Sequence, residues 1–227
     1  MRIHRARGLE AAPGARGVLI VIDVLRAFTT AAYAFGSGAR EIWLVATPEE
    51  ALLLRTARPE LVLAGEVGGR PIPGFDHGNS PEAMRALDLS DRTLVLRSSS
   101  GVQGALRASS AERLFLGSLV TASATARAAA ETGREVTLLA TGSPDGPDGP
   151  EDDACADLLE ALLRRRPYDA TSIRRAVSAS PAGQLALDPA VDWVTPGDLE
   201  SALAIDRFDF AIAAERRDGR LVARTLN

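Results

Sequence analysis

Short apolar segments alternate with helical patterns along the chain. Residues 17–24, with the sequence GVLIVIDV, are almost continuously apolar, which is typical of a strand buried on both faces of a sheet. Similar runs follow at intervals, separated by segments rich in Ala, Leu and charged residues that favour helices. The predicted strands are 17–24, 41–46, 61–67, 93–99, 113–118 and 135–142, and the predicted helices are 26–38, 48–57, 81–89, 101–110, 121–132 and 151–166.

This alternation predicts an α/β fold with a largely parallel or mixed central sheet flanked by helices. Residues 171–180 favour one further helix. In the tail, 209–226, two strand-like segments flank Asp218-Gly219, a pair that is typical of a β-hairpin turn. Because no linker or repeat interrupts the pattern, we expect a single domain over 1–227.

Two segments rich in Gly and Pro break the alternation. Residues 68–81, GGRPIPGFDHGNSP, form a predicted loop, and a loop of this length within a compact domain is usually functional or disordered. It ends at Ser80 and Pro81, which are typical of an N-cap and the first residue of a helix. A second loop is predicted at 143–150, SPDGPDGP, before the acidic start of the helix 151–166.

Charge and composition narrow the class of protein. The net charge is −4, so no basic surface favours nucleic acid or an anionic membrane, and the longest apolar run, 18–22, is far shorter than a membrane span. One cysteine, Cys155, fits a reducing compartment, and the first 17 residues lack the apolar stretch of a secretory signal. We therefore expect a cytoplasmic protein. All 26 basic residues are Arg, which excludes lysine-based phosphate loops.

Acidic and hydroxyl side chains follow several predicted strands. Since the carboxyl ends of parallel strands share one edge of a sheet, we expect these side chains to lie close together. Carboxylate oxygens suit Mg²⁺, while Arg and helix N-termini suit phosphate. The set therefore predicts metal-assisted hydrolysis of a small, highly anionic phosphate ester. Its members are Asp23, Arg26, Glu66, Asp76, His77, Asn79, Ser98, Ser99, Ser100, Gly101, Glu151 and Asp152.

Structural roles are an alternative for each of these residues. Asp23 and Ser80 are also suited to N-caps, and Asp76 and Asn79 to turns. Glu151 and Asp152 also suit a helix start because of the helix dipole. Two interpretations of His77 stay open: a general acid, or a loop residue that is merely tolerated at this position. For Cys155, Trp43 and Trp193 the simplest interpretation is packing.

Five short motifs resemble, in order and spacing, those of the 2-phosphosulfolactate phosphatase family. They are VIDVLRAFTT at 21–30, GE at 65–66, GFDHGNSP at 74–81, SSSG at 98–101 and ED–CA at 151–156. The resemblance covers roughly 17–165. It implies a Mg²⁺-dependent phosphatase with three α/β/α layers, whose known reaction releases phosphate from 2-phospho-3-sulfolactate in coenzyme M biosynthesis. It is also compatible with a homodimer.

The resemblance also implies roles for individual residues. Metal ligands, direct or through water, are expected to be Asp23, Glu66, Asp76, Glu151 and Asp152. Activation of the attacking water is expected from one carboxylate among Asp23, Glu66 and Asp152. Substrate is expected to contact Arg26, Asn79, Ser80, Ser99, Ser100 and Gly101.

The chain departs from the family pattern around the expected site. The family usually has Thr-Thr-Asn-Gly-Thr where this chain has Ser-Ser-Ser-Gly-Val at 98–102, and Arg commonly stands where this chain has Val67. The expected substrate is 2-phosphosulfolactate, but these changes keep open another phosphorylated 2-hydroxy acid. A non-catalytic protein that binds an anionic metabolite is the remaining alternative.

Overall fold

Ten strands form one sheet in the computed structural model, which describes residues 1–143, 146 and 148–227. The strands are β1 Ile3–Arg7, β2 Val18–Ile22, β3 Glu41–Leu44, β4 Val62–Val67, β5 Arg70–Pro71, β6 Thr93–Arg97, β7 Arg113–Gly117, β8 Val136–Ala140, β9 Ala211–Arg217 and β10 Arg220–Leu226. The helices are α1 Ala27–Gly36, α2 Pro48–Ala57, α3 Pro81–Arg85, α4 Gly101–Arg107, α5 Ala122–Glu131, α6 Pro150–Leu163, α7 Ala170–Ala179, α8 Pro181–Leu185 and α9 Pro196–Ala202.

The sheet consists of two parallel halves joined by the C-terminal hairpin. Its strand order is β1-β8-β2-β7-β9-β10-β3-β6-β4-β5. Strands β1, β8, β2 and β7 run parallel to one another, as do β3, β6 and β4. Because β7, β9, β10 and β3 are successively antiparallel, the two halves run in opposite directions. The sheet is therefore mixed.

Helix α1 lies against the inner face of the sheet, where all but its last residue are buried. Its sequence AFTTAAYAFG is apolar on all sides, which suits a helix surrounded by protein. Phe28 belongs to a core shared with Leu19 of β2, Leu94 of β6 and Ile212 of β9, so strands from both halves pack around this helix.

The outer face of the sheet is covered by other helices. Helices α5 and α6 cover the half that contains β2, where Ile20, Phe115 and Leu158 share one core. Helix α2 covers the half that contains β3, where Ala51 packs with Trp43 and Val95. Helices thus lie on both faces, which confirms the three-layer α/β arrangement.

Several elements differ from the prediction. The N-terminal strand β1, the short helices α8 and α9 and the 3-10 helix Leu9–Gly14 were not expected from the pattern. The hairpin at 209–226 is confirmed, with its turn at Asp218 and Gly219, both at positive φ as the tight turn requires. The loop predicted at 143–150 includes 144, 145 and 147, which lie outside the described residues. Among the helices described, none is long and apolar enough to cross a membrane.

Candidate active site

A cavity of about 480 Å³ lies where segments from both halves of the sheet meet. The start of α1, the loop after β4, the start of α4, the start of α6 and the segment from α8 to α9 all contribute to it. The described residues that line it are Asp23, Leu25, Arg26, Glu66, Gly68, Gly69, Asn79, Ser100, Gly142, Ser143, Glu151, Pro181, Ala182, Leu185, Trp193 and Val194.

The ends of the two halves of the sheet meet at this cavity. Strands β2 and β6 are five positions apart, so a flat sheet would separate them by roughly 24 Å. Yet Gly101, which follows β6, donates its backbone N–H to the Asp23 carboxylate, which follows β2, at 2.8 Å. Leu19 of β2 and Leu94 of β6 also share one core with Phe28 of α1, so the sheet curves around this helix and the two strand ends approach each other. The expectation of one shared carboxyl edge was wrong, because the halves are antiparallel, yet their ends still meet.

Asp23 is buried and held by two backbone donors. Its Oδ1 accepts from Ala27 N at 3.0 Å, and its Oδ2 accepts from Gly101 N at 2.8 Å. Burial raises the pKa of Asp23 to about 6; the two backbone hydrogen bonds oppose the rise, and the charges of Glu66 and Glu151 add to it. The carboxyl group is therefore fixed in position and titrates close to neutral pH.

Glu151 and Asp152 begin helix α6 and have different surroundings. Asp152 accepts from Val24 N at 2.8 Å and from Gly142 N at 3.1 Å, so both of its oxygens are bound to the backbone. Burial, followed by repulsion from Asp23 and Glu151, raises the pKa of Asp152 well above its usual value. Burial likewise raises the pKa of Glu151, whose Oε2 has no hydrogen-bond partner among the described residues. Glu151 lines the cavity, whereas Asp152 supports the turn behind it.

Glu66 links the end of β4 to the segment after β6. Its Oε1 accepts from Ser99 N, and its Oε2 accepts from Gly69 N at 2.7 Å and from Ser99 Oγ at 3.0 Å. The Ser99 hydroxyl also accepts from Gly68 N at 2.9 Å. Ser99 was predicted to contact substrate, but its polar atoms are used in fixing Glu66 and this loop.

Asn79 and Ser100 line the cavity, and each has a side-chain oxygen that forms no hydrogen bond to a described residue. Both residues are buried and line the cavity. Asn79 Oδ1 and Ser100 Oγ have no hydrogen-bond partner among the described residues. Gly101, by contrast, uses its N–H on Asp23. Asn79 and Ser100 therefore retain free capacity for a ligand.

Arg26 is already engaged by protein groups. Its side chain is 6% exposed and forms an ion pair of 3.0 Å with Asp198, which is fully buried. It also donates to the carbonyl oxygens of Trp193 and Gly69. Arg26 was expected to bind phosphate, but most of its N–H donors bind protein groups and hold two segments of the cavity wall together.

Asp198 and Trp193 are the residues of the site that the sequence interpretation missed. Asp198 is the N3 residue of a capping box with Thr195 at the start of α9. A capping pattern, Thr-Pro-Gly-Asp, is visible in the sequence at 195–198, but it gives no indication of the partner Arg26. Trp193 was assigned to packing, whereas it is one of the residues that line the cavity, and the guanidinium of Arg70 lies over its ring, 3.9 Å from the centre.

Asp76, Ser80 and His77 do not line the cavity. Asp76 pairs with Arg55 and accepts from Leu63 N at 2.8 Å, so it fastens the loop to β4 and is corrected from a metal ligand to a loop anchor. Ser80 caps α3 and donates to Asp198 at 2.6 Å, which replaces its expected substrate contact. His77 continues the edge of β4 through a bridge to Ala64.

The described residues contain no cluster of three or more His, Cys, Asp or Glu side chains close enough to enclose a metal ion directly. The donor set is nevertheless oxygen-rich, with Asp23, Glu66 and Glu151 facing one cavity and free oxygen atoms on Glu151 and Asn79. Such a set suits a hydrated divalent ion held by one or two carboxylates. It also places a carboxyl group near its titration point beside a polar pocket, which suits acid–base chemistry.

Known proteins match most of this chain. The family model of 2-phosphosulpholactate phosphatase matches residues 3–187. Probable 2-phosphosulfolactate phosphatases of Bacillus subtilis (strain 168) and Deinococcus radiodurans are 39% and 40% identical over 145 and 147 residues, and that of Thermus thermophilus is 35% identical over 147. These matches cover 63%, 64% and 64% of this chain, and 63%, 61% and 61% of the relatives' own lengths.

Proposed function

Because the chain belongs to the 2-phosphosulpholactate phosphatase family, we propose that it is a Mg²⁺-dependent phosphomonoesterase acting on 2-phosphosulfolactate. The observation that carries this proposal is the convergence of Asp23, Glu66 and Glu151 on one cavity. Buried carboxylates that repel one another are unfavourable unless a cation or protons offset their charge. A site built from them is therefore suited to a divalent ion and an anionic substrate together.

The residues of the cavity fit Mg²⁺ better than a softer metal. Their free donors are oxygens, and neither His nor Cys lines the described part of the cavity. Glu151 and Asn79 would hold the ion, with Asp23 and Glu66 offsetting its charge. Bound there, Mg²⁺ would supply positive charge to the phosphoryl group and lower the pKa of water.

The reaction exchanges one bond to phosphorus for another. The oxygen of water bonds to phosphorus, the bond between phosphorus and the ester oxygen breaks, and the leaving alcohol takes up a proton. Asp23 accepts the proton of the attacking water, since a pKa of about 6 makes the carboxylate a moderate base near neutral pH. Its backbone donors, Ala27 N and Gly101 N, hold it in one orientation while it does so.

The remaining residues position the phosphate. Ser100 lines the cavity, and its hydroxyl, which has no hydrogen-bond partner among the described residues, has a proton to donate to phosphate. Glu66 fixes the backbone at Gly69, and Arg26 binds the Gly69 carbonyl, so this wall is held from both sides. The products are sulfolactate and inorganic phosphate.

Phosphate release from 2-phosphosulfolactate, measured with Mg²⁺ and with EDTA, tests the proposal. We expect turnover only with Mg²⁺, and a loss of about 100-fold or more in kcat for Asp23→Asn, since general base catalysis contributes about 10²–10⁴. Asp192→Asn, at an exposed position outside the cavity, is the matched control. Turnover in EDTA would overturn the metal dependence. Tight binding of phosphate esters without turnover would indicate a binding protein instead.

A further inference from the structure

A cation, Arg70, lies at the margin of the cavity. It directly follows Gly68 and Gly69, which both line the cavity. Its guanidinium lies over the ring of Trp193, another lining residue, 3.9 Å from the ring centre. Arg70 itself is exposed. Its charge therefore adjoins the cavity lining on two sides, through the chain at Gly69 and through the ring of Trp193.

The guanidinium of Arg70 has no polar partner within the part of the chain that the structure describes. None of the ion pairs there includes Arg70, and its N–H groups donate to no described atom. Arg26, by contrast, is paired with Asp198, and Arg97 donates to the Glu66 carbonyl and the Ser99 hydroxyl. Attraction to an aromatic ring stabilises a cation without neutralising its charge. Arg70 therefore keeps its charge and its donors for a ligand.

The backbone that carries Arg70 is fixed against the aromatic ring. Arg26 donates to the carbonyl oxygens of both Gly69 and Trp193, and Glu66 accepts from Gly69 N at 2.7 Å. Gly69 is also packed close to the indole, since an added Cβ would lie 3.2 Å from Trp193 Nε1. A group held in one arrangement before a ligand arrives loses little freedom on binding. This part of the cavity margin is therefore suited to specific recognition.

The charges inside the cavity create a need for this cation. 2-Phosphosulfolactate carries a carboxylate and a sulfonate in addition to its phosphate. The carboxylates of Asp23, Glu66 and Glu151 line the same cavity and repel such groups. The charge of Arg26, the cation among the described lining residues, is already balanced by Asp198. An anionic group of the substrate that lies away from the phosphate is therefore favoured beside Arg70.

We propose that Arg70 binds a second anionic group of the substrate, a carboxylate or a sulfonate, and so selects phosphate esters that carry one. This inference rests on the proposed phosphatase function. The planar guanidinium presents paired N–H groups that match two oxygens of either group. Because Arg70 adjoins the cavity and does not line it, it determines which ester binds and takes no part in breaking the bond to phosphorus.

Three ligands that are not hydrolysed test the proposal by calorimetry in the presence of Mg²⁺. Phosphonoacetate and phosphonomethanesulfonate differ from methylphosphonate by an added carboxylate and an added sulfonate. Arg70→Met removes the charge and keeps an unbranched side chain against Trp193. We expect it to weaken binding of one or both of the doubly anionic ligands about fivefold, as for the loss of an ion pair at an exposed position, and to leave methylphosphonate unchanged. The ligand that is weakened identifies the group that Arg70 binds.

The matched control is Arg58→Met. Arg58 is also exposed, and its guanidinium lies 5.2 Å from the ring centre of Trp43, outside the described lining of the cavity. This variant should leave all three affinities unchanged. If Arg70 only supported the ring of Trp193, Arg70→Met would weaken all three ligands alike. Equal weakening of the three ligands, or no weakening of any, would overturn the proposal.

Kinetics with 2-phosphosulfolactate separate this inference from the proposed function. Arg70→Met should raise KM about fivefold and change kcat by less than about twofold, because it removes binding to a group away from phosphorus. If no ester is hydrolysed but the difference between the phosphonates still depends on Arg70, the anionic subsite stands and the phosphatase proposal fails. If the ester is hydrolysed, and neither KM nor the three affinities change in Arg70→Met, the subsite is refuted and the phosphatase proposal stands.

Discussion

Asp198→Asn should destabilise the protein strongly, because it leaves the buried Arg26 without its counter-ion. Asp198 is fully buried and Arg26 is 6% exposed, so water cannot replace the lost charge. Breaking a buried ion pair from one side costs about 3–5 kcal/mol. Asn keeps an oxygen that can still accept from Ser80 or Thr195, so we expect the low end, about 3 kcal/mol.

Urea unfolding, followed by circular dichroism, measures this loss. Asp192→Asn is the control, since it removes the same charge from an exposed position in the same segment. A second variant replaces both partners with apolar residues, Arg26→Met with Asp198→Leu. Such a double replacement is expected to be more stable than Asp198→Asn, because no charge is left buried.

Two results would refute this reasoning. One is an Asp198→Asn variant within about 0.5 kcal/mol of the unmodified protein, the range of ordinary surface substitutions. The other is a double variant whose loss equals the sum of the losses of Arg26→Met and Asp198→Leu measured singly, since independent sites are additive and a coupled pair is not.

Three further predictions concern the carboxylates and the loop. In EDTA, the raised pKa of Asp23 stabilises the folded state by about 3 kcal/mol at low pH. The protein loses this stabilisation as the pH rises from about 4 through 6. The melting temperature should therefore fall less steeply with pH in Asp23→Asn than in the unmodified protein. Gly101→Ala should lower the free energy of unfolding by about 1–3 kcal/mol and abolish most of the activity, since the added Cβ would lie 2.7 Å from the Cβ of Asp23. Both urea unfolding and phosphate release are measured. The control is Gly14→Ala, whose added Cβ would have no atom within 4 Å. Asp76→Asn should lower the free energy of unfolding, measured in urea, by about 1 kcal/mol. It should leave KM unchanged, because Asp76 binds Leu63 N outside the cavity and does not line it. A tenfold rise in KM would support the original assignment of Asp76 as a ligand.

Local patterns predicted the elements whose signals lie within a few residues. The apolar run around Val18–Ile22 is a buried strand, and Asp218-Gly219 is a hairpin turn. Ser80 caps α3 and accepts from Ala83 N, as the Ser-Pro pair indicates. In each case, the signal lies within a short segment of the sequence, so the local residues are sufficient to predict the element.

The edge strand β1 and the contact between Arg26 and Asp198 could not be predicted in this way. Strand β1 has the sequence IHRAR, whose polar residues reflect an edge strand partly open to solvent. Arg26 and Asp198 are 172 residues apart, and only the folded chain brings them together. Asp76 has the residue type and position expected of a ligand, but the packing of the loop against β4 directs it to Arg55.

The central place of the C-terminal hairpin affects how the molecule is synthesised. Strands β9 and β10 leave the ribosome after the other strands of the sheet, yet they join β7 to β3, with Leu114 opposite Ala214 and Leu44 opposite Leu221. Until they emerge, both half-sheets present open strand edges, which invite association with other chains. Pairings between residues so far apart in sequence also form slowly. A nascent chain therefore completes this sheet only once β9 and β10 have been synthesised, and its protection from aggregation depends on that hairpin.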